Sequence, residues 1–215
     1  MNNNMDKEEL CKILEGFHIQ VVEIGKCADS VKAMKEIGVE KLKIAPRFFM
    51  AAKDAFVFRY SVELCKLLVD EKKNGDITVY RICDLIKSNS SYFIDESNVI
   101  KLCDELLAEL ENQSETIENL RKRRNKTYGH NDKEYYNYSE KAVVDFTLDF
   151  EIIYHIVNLL NNFSFKILYD VGSYLQIRNL RYNSDDIKKL FGMSTWDEDI
   201  YKKFENSTSL RIKVR

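Results

Sequence analysis

The fold class is decided by the stretch from Asp6 to Ile37, which reads DKEELCKILEGFHIQVVEIGKCADSVKAMKEI. Its apolar side chains recur at alternating spacings of four and three residues, at Leu10, Leu14, Phe17, Val21, Ile24, Ala28 and Val31. This heptad pattern predicts one long helix with an apolar stripe, ended by Gly38. Two interpretations of the stripe remain open: a seam inside the bundle of one chain, or the seam of a dimer.

Helical patterns continue through most of the chain. The pattern predicts a helix from Pro46 to Asn74-Gly75 and then a short helix from Thr78 to Lys87, opened by Asp76. The next helix is capped by Asp95 or Ser97, and a capping box of Asn112 with Glu115 predicts a kink or a new start there. That helical pattern ends near Gly129, and a last long helix runs from Ser139 and Glu140 to about Asn162. Residues 163–171 can extend that last helix.

These patterns predict an all-α protein, an antiparallel helical bundle with a long N-terminal helix. We expect a single domain over residues 1–215. Within it the N-terminal helix covers 6–37, the bundle core about 45–165, and a short irregular C-terminal extension 166–215.

Composition supports long helices and excludes several classes of protein. The 215 residues include only 7 Gly and 1 Pro, too few turn residues for a many-stranded sheet. The 12 Tyr and 12 Phe exclude a disordered chain. A formal net charge of -2 excludes a globally basic nucleic-acid binder. No apolar run reaches the ~20 residues of a membrane span, and we expect a cytoplasmic protein.

The cysteines predict buried thiols. They are odd in number, widely spaced and without a CxxC pair, at Cys11, Cys27, Cys65, Cys83 and Cys103. A disulfide framework and a Cys-rich metal site are therefore not expected. No cofactor motif is present, and none is expected.

Chemistry is predicted where positive charge is densest. Five cations occupy six positions, at Arg121, Lys122, Arg123, Arg124 and Lys126. Cations in the last turn of a helix are stabilised by the helix dipole, so a solvated surface is the simpler interpretation of the charge alone.

His130, just beyond the predicted helix end, adds a proton-transfer group to this cluster. Arg124 carries a permanent charge in a planar fork that suits phosphate, and His130 titrates near neutrality. RNA cleavage through the 2'-hydroxyl needs a base, a cation for the phosphorane-like transition state and an acid for the leaving 5'-oxygen. Arg124 and His130 can supply these functions without a metal, and they are the predicted catalytic pair.

The run Arg124-Asn125-Lys126-Thr127-Tyr128-Gly129-His130 resembles the signature of HEPN domains, in which an Arg and a polar residue precede a His by a few positions. The continuation through Asn131 and Asp132 is similar to abortive-infection AbiU-type HEPN proteins, with Gly129 where Ala is more usual. The resemblance covers about residues 45–165, and only the motif itself is specific.

The resemblance implies a fold, a reaction and partners. HEPN proteins are all-α bundles, often homodimers, in which the motif Arg and His of two protomers meet in one composite cleft. Many are metal-independent endoribonucleases that act as toxins or antiviral effectors. Arg124 would then be the transition-state cation, His130 the general acid/base or substrate-orienting group, and Asn125 the orienting residue. The resemblance also implies an antitoxin or a nucleotidyltransferase as partner. In one large subgroup such an enzyme adenylylates a Tyr two positions after the His, which here is Asp132.

The residues around the motif form a predicted RNA-binding set. Its members are Arg121, Lys122, Arg123, Lys126, Tyr128, Asp132, Tyr135 and Tyr136. The cations suit RNA phosphates and the tyrosines can stack on unpaired bases. For the tyrosines, packing over the bundle is the alternative.

Other candidates carry less chemistry, and two other functions remain open. His18 and His155 are expected to pack or to flank the core, and Asp145 with Asp149 to form a solvated face rather than a metal site. The first alternative function is a non-catalytic helical dimer that binds RNA or nucleotides or forms half of a toxin–antitoxin pair. The second is a structural bundle whose motif arises by chance.

Overall fold

The computed structural model describes residues 5–69, 77–129, 144–173, 187–188 and 191. Its elements are α1 (Lys7–Ile37), α2 (Val39–Leu42), α3 (Pro46–Leu68), α4 (Val79–Ser88), a 3₁₀ turn (Ser90–Tyr92), α5 (Glu96–Asn112), α6 (Ser114–Arg123), a π-helical turn (Arg124–Gly129) and α7 (Phe150–Val171). Within these described ranges the chain forms no strand, and the all-α prediction is confirmed.

The α1 helix begins and ends as its sequence predicts. The Asp6 side chain caps the first turn by accepting from the Glu9 backbone N–H at 2.7 Å. Gly38, at φ 83°, ends the helix in a backbone conformation that favours glycine. All seven residues of the heptad stripe are buried in the core of this one chain. The stripe is therefore the internal seam of the bundle.

Both α3 and α7 pack against α1. The polar pairs at their edges fix the directions of these helices. Gln20 and Arg59 bond across the α1–α3 contact to Glu63 and Glu23, each at 3.5 Å. On the other side, Tyr154 donates to Asp29 at 2.8 Å and Lys35 pairs with Glu151 at 2.6 Å. Residue numbers rise along α1 as they fall along each partner, so both partners run antiparallel to it.

The remaining helices pack around α1, α3 and α7 and complete the bundle. Helix α5 packs on α4 and α7, while α6 and the π turn pack on α3. The core between them is aliphatic, with Leu64, Ile82 and Leu110 fully buried. The basic motif is thus held against α3 at one side of the bundle.

Several helix ends differ from their predictions. Helix α3 stops at Leu68, with Val69 in an extended conformation, and the predicted stop at Asn74-Gly75 lies outside the described residues. Helix α4 is capped by Thr78, whose hydroxyl accepts from the Arg81 N–H, and the predicted opening residue Asp76 lies outside the described residues. A side chain directly before the first turn can reach its N–H groups, which explains the choice of Thr78.

Asp95 is the cap of α5, one of the two predicted choices, and it accepts from the Asn98 N–H at 3.0 Å. The predicted new start near Asn112 is confirmed, although Gln113 is the first residue outside α6 and makes no side-chain cap. Helix α7 begins at Phe150, capped by Asp149, after a break at residues 146–149, and the predicted start at Ser139 and Glu140 lies outside the described residues.

Helix α7 continues to Val171, so residues 163–171 extend the helix rather than belonging to an irregular tail. Ile167, Leu168 and Val171 are buried, which explains the extension. Farther on, Lys188 pairs with Glu36 at 2.8 Å and the Phe191 ring lies 5.6 Å from that of Phe49. The division into core and C-terminal extension stays a prediction.

The cysteines behave as predicted. All five are free thiols; four are buried, and Cys11 is half-buried. Burial raises the pKa of the Cys27 thiol, which keeps it protonated and unreactive. None of the described helices has the length and apolar character needed to cross a membrane.

His18 is a buried polar group on α1, as its predicted packing role requires. The Ser164 hydroxyl donates to the Asn161 carbonyl at 3.0 Å, so its oxygen can accept from the His18 Nδ1–H at 2.9 Å. The His18 Nε2 atom is buried and has no hydrogen-bond partner among the described residues. Burial lowers the pKa of His18 below its usual 6.5 because a charged imidazolium would lose its water.

This burial predicts a pH dependence of folding stability. Below about 6.5 the unfolded chain takes up a proton at His18 that the folded protein resists, so stability is complete above that pH and falls as the pH drops. The slope attributable to one group is at most about 1.4 kcal/mol per pH unit. Urea unfolding between pH 7.5 and 5.5 should show this loss in wild type and a flatter profile in His18→Gln. Equal slopes in the two proteins would contradict the assignment to His18.

Candidate active site

Helix α6 sorts the predicted cations onto two faces. Leu120 is fully buried, and Arg123 and Arg124 follow it by three and four residues, so they lie on the side facing the bundle. Both are half-buried, whereas Lys122 and Lys126 are exposed. The inner arginines are therefore positioned as a site, and the outer cations as a surface.

Arg124 is oriented by its neighbour in sequence. Its Nε–H donates to the Asn125 Oδ1 at 3.0 Å, and both side chains are partly buried. This bond restrains the plane of the guanidinium. The arrangement agrees with the orienting role that the resemblance implies for Asn125.

Arg123 has a different environment. Its Nε is buried and has no hydrogen-bond acceptor among the residues that the structure describes. A buried guanidinium N–H without an acceptor is costly, and an anion such as a phosphate oxygen would satisfy it. Arg123 was predicted only as one of several phosphate-tracking cations, and its burial moves it toward the inner site.

Arg121, which is also half-buried, is held by a carboxylate. Its Nε and Nη2 donate to Glu118 at 2.7 and 2.8 Å, and the Lys122 Nζ lies 3.6 Å from the same carboxylate. The Arg121 fork lowers the pKa of Glu118, which therefore stays ionised. Two of the five predicted cations are thus partly neutralised.

Glu118 was not among the predicted site residues. A sequence signal for it exists, because a Glu three and four positions before basic residues on one helix pairs with them. That signal was hidden by the density of positive charge that follows it.

The motif backbone changes geometry at the catalytic candidates. Helix α6 ends at Arg123, and residues Arg124–Gly129 form a π-helical turn, in which each N–H bonds to the carbonyl five residues earlier. Gly129 thus lies about one π-helical turn beyond Arg124 along the chain. Such π turns are rare and often occur at functional sites.

The rest of the predicted site lies outside the described part of the chain. It comprises His130, Asp132, Tyr135, Tyr136 and the side chain of Tyr128. Their roles stay predictions.

A cavity of about 330 Å³ lies where α6 meets α3, α4 and α5. Its apolar wall includes Leu68, Leu110 and Ile117, and its rim includes Glu118 and Arg121. The volume is at the lower end of the range for small-ligand sites. The cavity adds a partly apolar surface beside Arg121.

The other side chains considered as possible metal ligands or site residues, Asp149 and His155, have structural positions on or next to α7. Asp149 caps α7, and His155 is exposed on the same helix. Among the described residues, no three His, Cys, Asp or Glu side chains are grouped so that they could hold a metal ion.

Comparison with known proteins adds one finding. The family model HEPN_AbiU2, described as AbiU2, matches residues 7–188. This range includes α1 through α7 and the whole motif. Neither a curated protein nor a solved structure matches the chain.

Proposed function

The chain belongs to the AbiU2 family of abortive-infection HEPN proteins, and from that premise we propose that it is a metal-independent endoribonuclease acting as a toxin or anti-phage effector. One observation carries the proposal: Arg124 is half-buried, oriented by Asn125 at 3.0 Å, and begins the π turn that leads to His130. Partial burial and this hydrogen bond hold the guanidinium in a defined orientation, which a transition-state cation requires.

The proposed reaction uses only side chains of the protein and no metal. His130 removes the proton of the 2'-hydroxyl, and the 2'-oxygen attacks the adjacent phosphorus. Arg124, with Arg123 beside it, stabilises the charge that grows on the phosphorane-like transition state. The P–O5' bond breaks, and a protonated His130 imidazolium gives its proton to the leaving 5'-oxygen. The products are a 2',3'-cyclic phosphate and a 5'-hydroxyl.

The proposed site is composite, with Arg124 of one copy facing His130 of a second copy. The exposed cations Lys122 and Lys126 would track the RNA backbone outside the site. An antitoxin or a nucleotidyltransferase is the proposed controlling partner, and RNA the substrate.

The test is incubation of the purified protein with total bacterial RNA in EDTA, followed by analysis of the new ends. We expect fragments with 2',3'-cyclic phosphate and 5'-hydroxyl termini. If fresh dimeric protein binds several RNAs without cutting any of them, the catalytic proposal is wrong, and the non-catalytic RNA-binding dimer takes its place.

Glu118 offers a test of the outer RNA-binding surface. Glu118→Gln removes the carboxylate that pairs with Arg121 and Lys122, so their positive charges are no longer partly neutralised by it. Because exposed ion pairs contribute about 0.2–1 kcal/mol, we expect roughly 2- to 5-fold tighter binding to single-stranded RNA. The salt dependence of binding should also become steeper.

The measurement is fluorescence anisotropy with a labelled RNA at two salt concentrations. Glu115→Gln is the matched control, because Glu115 is exposed on the same helix and its loss changes the net charge equally. Equal gains in the two variants would mean that only net charge matters and that Glu118 does not restrain Arg121.

A further inference from the structure

The cavity beside α6 combines apolar walls with an acidic rim. Leu68, Leu110 and Ile117 line it from α3, α5 and α6, and the first two are almost fully buried. The carboxylates of Glu111 and Glu118 lie at the same cavity. Its volume of about 330 Å³ suits a single ring system rather than a chain of several groups. In such a site the apolar walls bury the faces of a ring, and the polar side chains select among the groups on its edge.

The charges of the lining determine which ligands the cavity can take. The Arg121 guanidinium lowers the pKa of Glu118, so Glu118 is an anion that accepts hydrogen bonds and donates none. The charged lining residues are Glu111, Glu118 and Arg121, so negative charge exceeds positive charge and a phosphate is repelled. A neutral ring whose edge carries N–H groups gains instead a charge-assisted hydrogen bond to a carboxylate. The cavity therefore fits a nucleobase whose phosphates are bound elsewhere.

The cavity lies along the helix that leads to the predicted catalytic residues. Ile117, Glu118 and Arg121 fall within an arc of about 100° around the axis of α6. Arg124 follows Arg121 by three residues, so it lies one turn farther along the same side. From Glu118 to Arg124 the rise along the axis is about 9 Å, a distance on the scale of one nucleotide. RNA that contacts Arg124 through a phosphate can thus place a neighbouring, unstacked base in the cavity.

We propose that this cavity is a base-binding subsite for the RNA substrate and that it selects guanine. Guanine presents two neighbouring donor groups, N1–H and N2–H₂, on its Watson–Crick edge, whereas adenine, cytosine and uracil each present one donor group there. Unpaired bases of RNA are commonly read on this edge. Glu118 accepts from guanine, and Leu110 and Ile117 cover its ring. The choice of RNA as the source of the base rests on the proposed function.

The test is the binding of four short labelled RNAs to the full chain. Each is a run of 2'-O-methyl uridines whose central position carries uracil, guanine, adenine or cytosine. None can be cleaved, because the reaction requires a free 2'-hydroxyl. Fluorescence anisotropy gives the ratios of their dissociation constants. We expect the guanine RNA to bind at least about 10-fold more tightly than the other three, which is the discrimination of one hydrogen bond to a charged group.

Glu118→Gln should abolish this preference, because an amide is uncharged and offers the base a donor as well as an acceptor. The readout is the ratio between RNAs, since the gain in affinity expected from the lost charge applies to every sequence. Glu115→Gln is the matched control. Glu115 is exposed on the same helix, lies outside the cavity lining and carries the same charge, so this variant should keep the wild-type ratio.

Three binding results would overturn the guanine subsite. They are equal binding of the four RNAs by wild type, a guanine preference that Glu118→Gln leaves intact, and an equal loss of preference in Glu115→Gln. Guanosine monophosphate that competes as strongly as the guanine RNA would also overturn it, because the cavity would then bind a free nucleotide.

Cleavage of the same four RNAs with unmodified 2'-hydroxyls separates this proposal from the proposed function. Cutting at equal rates whatever the central base would overturn the subsite and leave the ribonuclease in place. Selective binding of the guanine RNA without any cutting would overturn the ribonuclease proposal and leave the base-binding site in place.

Discussion

Arg124→Ala and His130→Ala are each expected to abolish most RNA cleavage. Removing a preorganised charge that stabilises the transition state costs about 100- to 1,000-fold in rate, and removing a general acid or base costs about 100- to 10,000-fold. Arg124→Lys should recover little, because an ammonium cannot reproduce the planar fork that Asn125 holds. Single-turnover cleavage of a defined RNA, in EDTA, measures these losses.

Two controls keep this result specific to the site. Lys126→Ala removes an exposed cation from the same turn and should lower affinity with a far smaller effect on the single-turnover rate. Thermal unfolding should show that neither catalytic variant has lost its fold. Arg124→Ala protein that cuts as fast as wild type at saturating RNA would remove Arg124 from the mechanism.

Phe17→Ala is expected to destabilise the fold strongly. Phe17 is buried on α1, and its ring meets that of Phe163 on α7 edge to face, with centroids 6.4 Å apart. A buried Phe→Ala change costs about 3–5 kcal/mol, from lost apolar burial and from the cavity left behind. For a chain of this size the melting temperature should fall by roughly 6–20 °C.

Ile19→Ala is the control for Phe17→Ala, since Ile19 lies two residues away on α1 and is 52% exposed. Its free energy of unfolding should change by no more than about 0.5 kcal/mol. Urea titrations of both variants provide the comparison. A Phe17→Ala loss below that of Ile19→Ala would mean that the α1–α7 contact does not carry the stability assigned to it.

The elements predicted correctly from sequence are those set by local chemistry. The α1 helix follows from its apolar spacing, the Asp6 cap and Gly38, all of which act within a few residues. The start of α3 at Pro46 has the same origin, since a proline without an N–H fits a first turn. The cations of α6 could likewise be located, because their charges are adjacent in the chain.

Other boundaries were missed or left open in the sequence analysis because distant contacts decide them. Helix α3 stops at Leu68, which is the last of its buried residues, although the residues that follow in the sequence are compatible with a helix. Helix α7 extends to Val171 because Ile167 and Leu168 are buried against the bundle. No proline or glycine directly follows Leu68, whereas Gly172, at φ 76°, directly follows Val171 and marks the end of α7.

The sequence by itself determined that this protein is an all-α bundle with its cations concentrated at Arg121–Lys126, because periodicity and charge are properties of short segments. Only the tertiary structure decided how those features are used. The α1 stripe faces its own chain, Arg123 and Arg124 face the bundle, and Glu118 holds Arg121 in an ion pair. Each of these outcomes depends on which surface of a helix meets another helix, and that is set by packing between segments far apart in the chain.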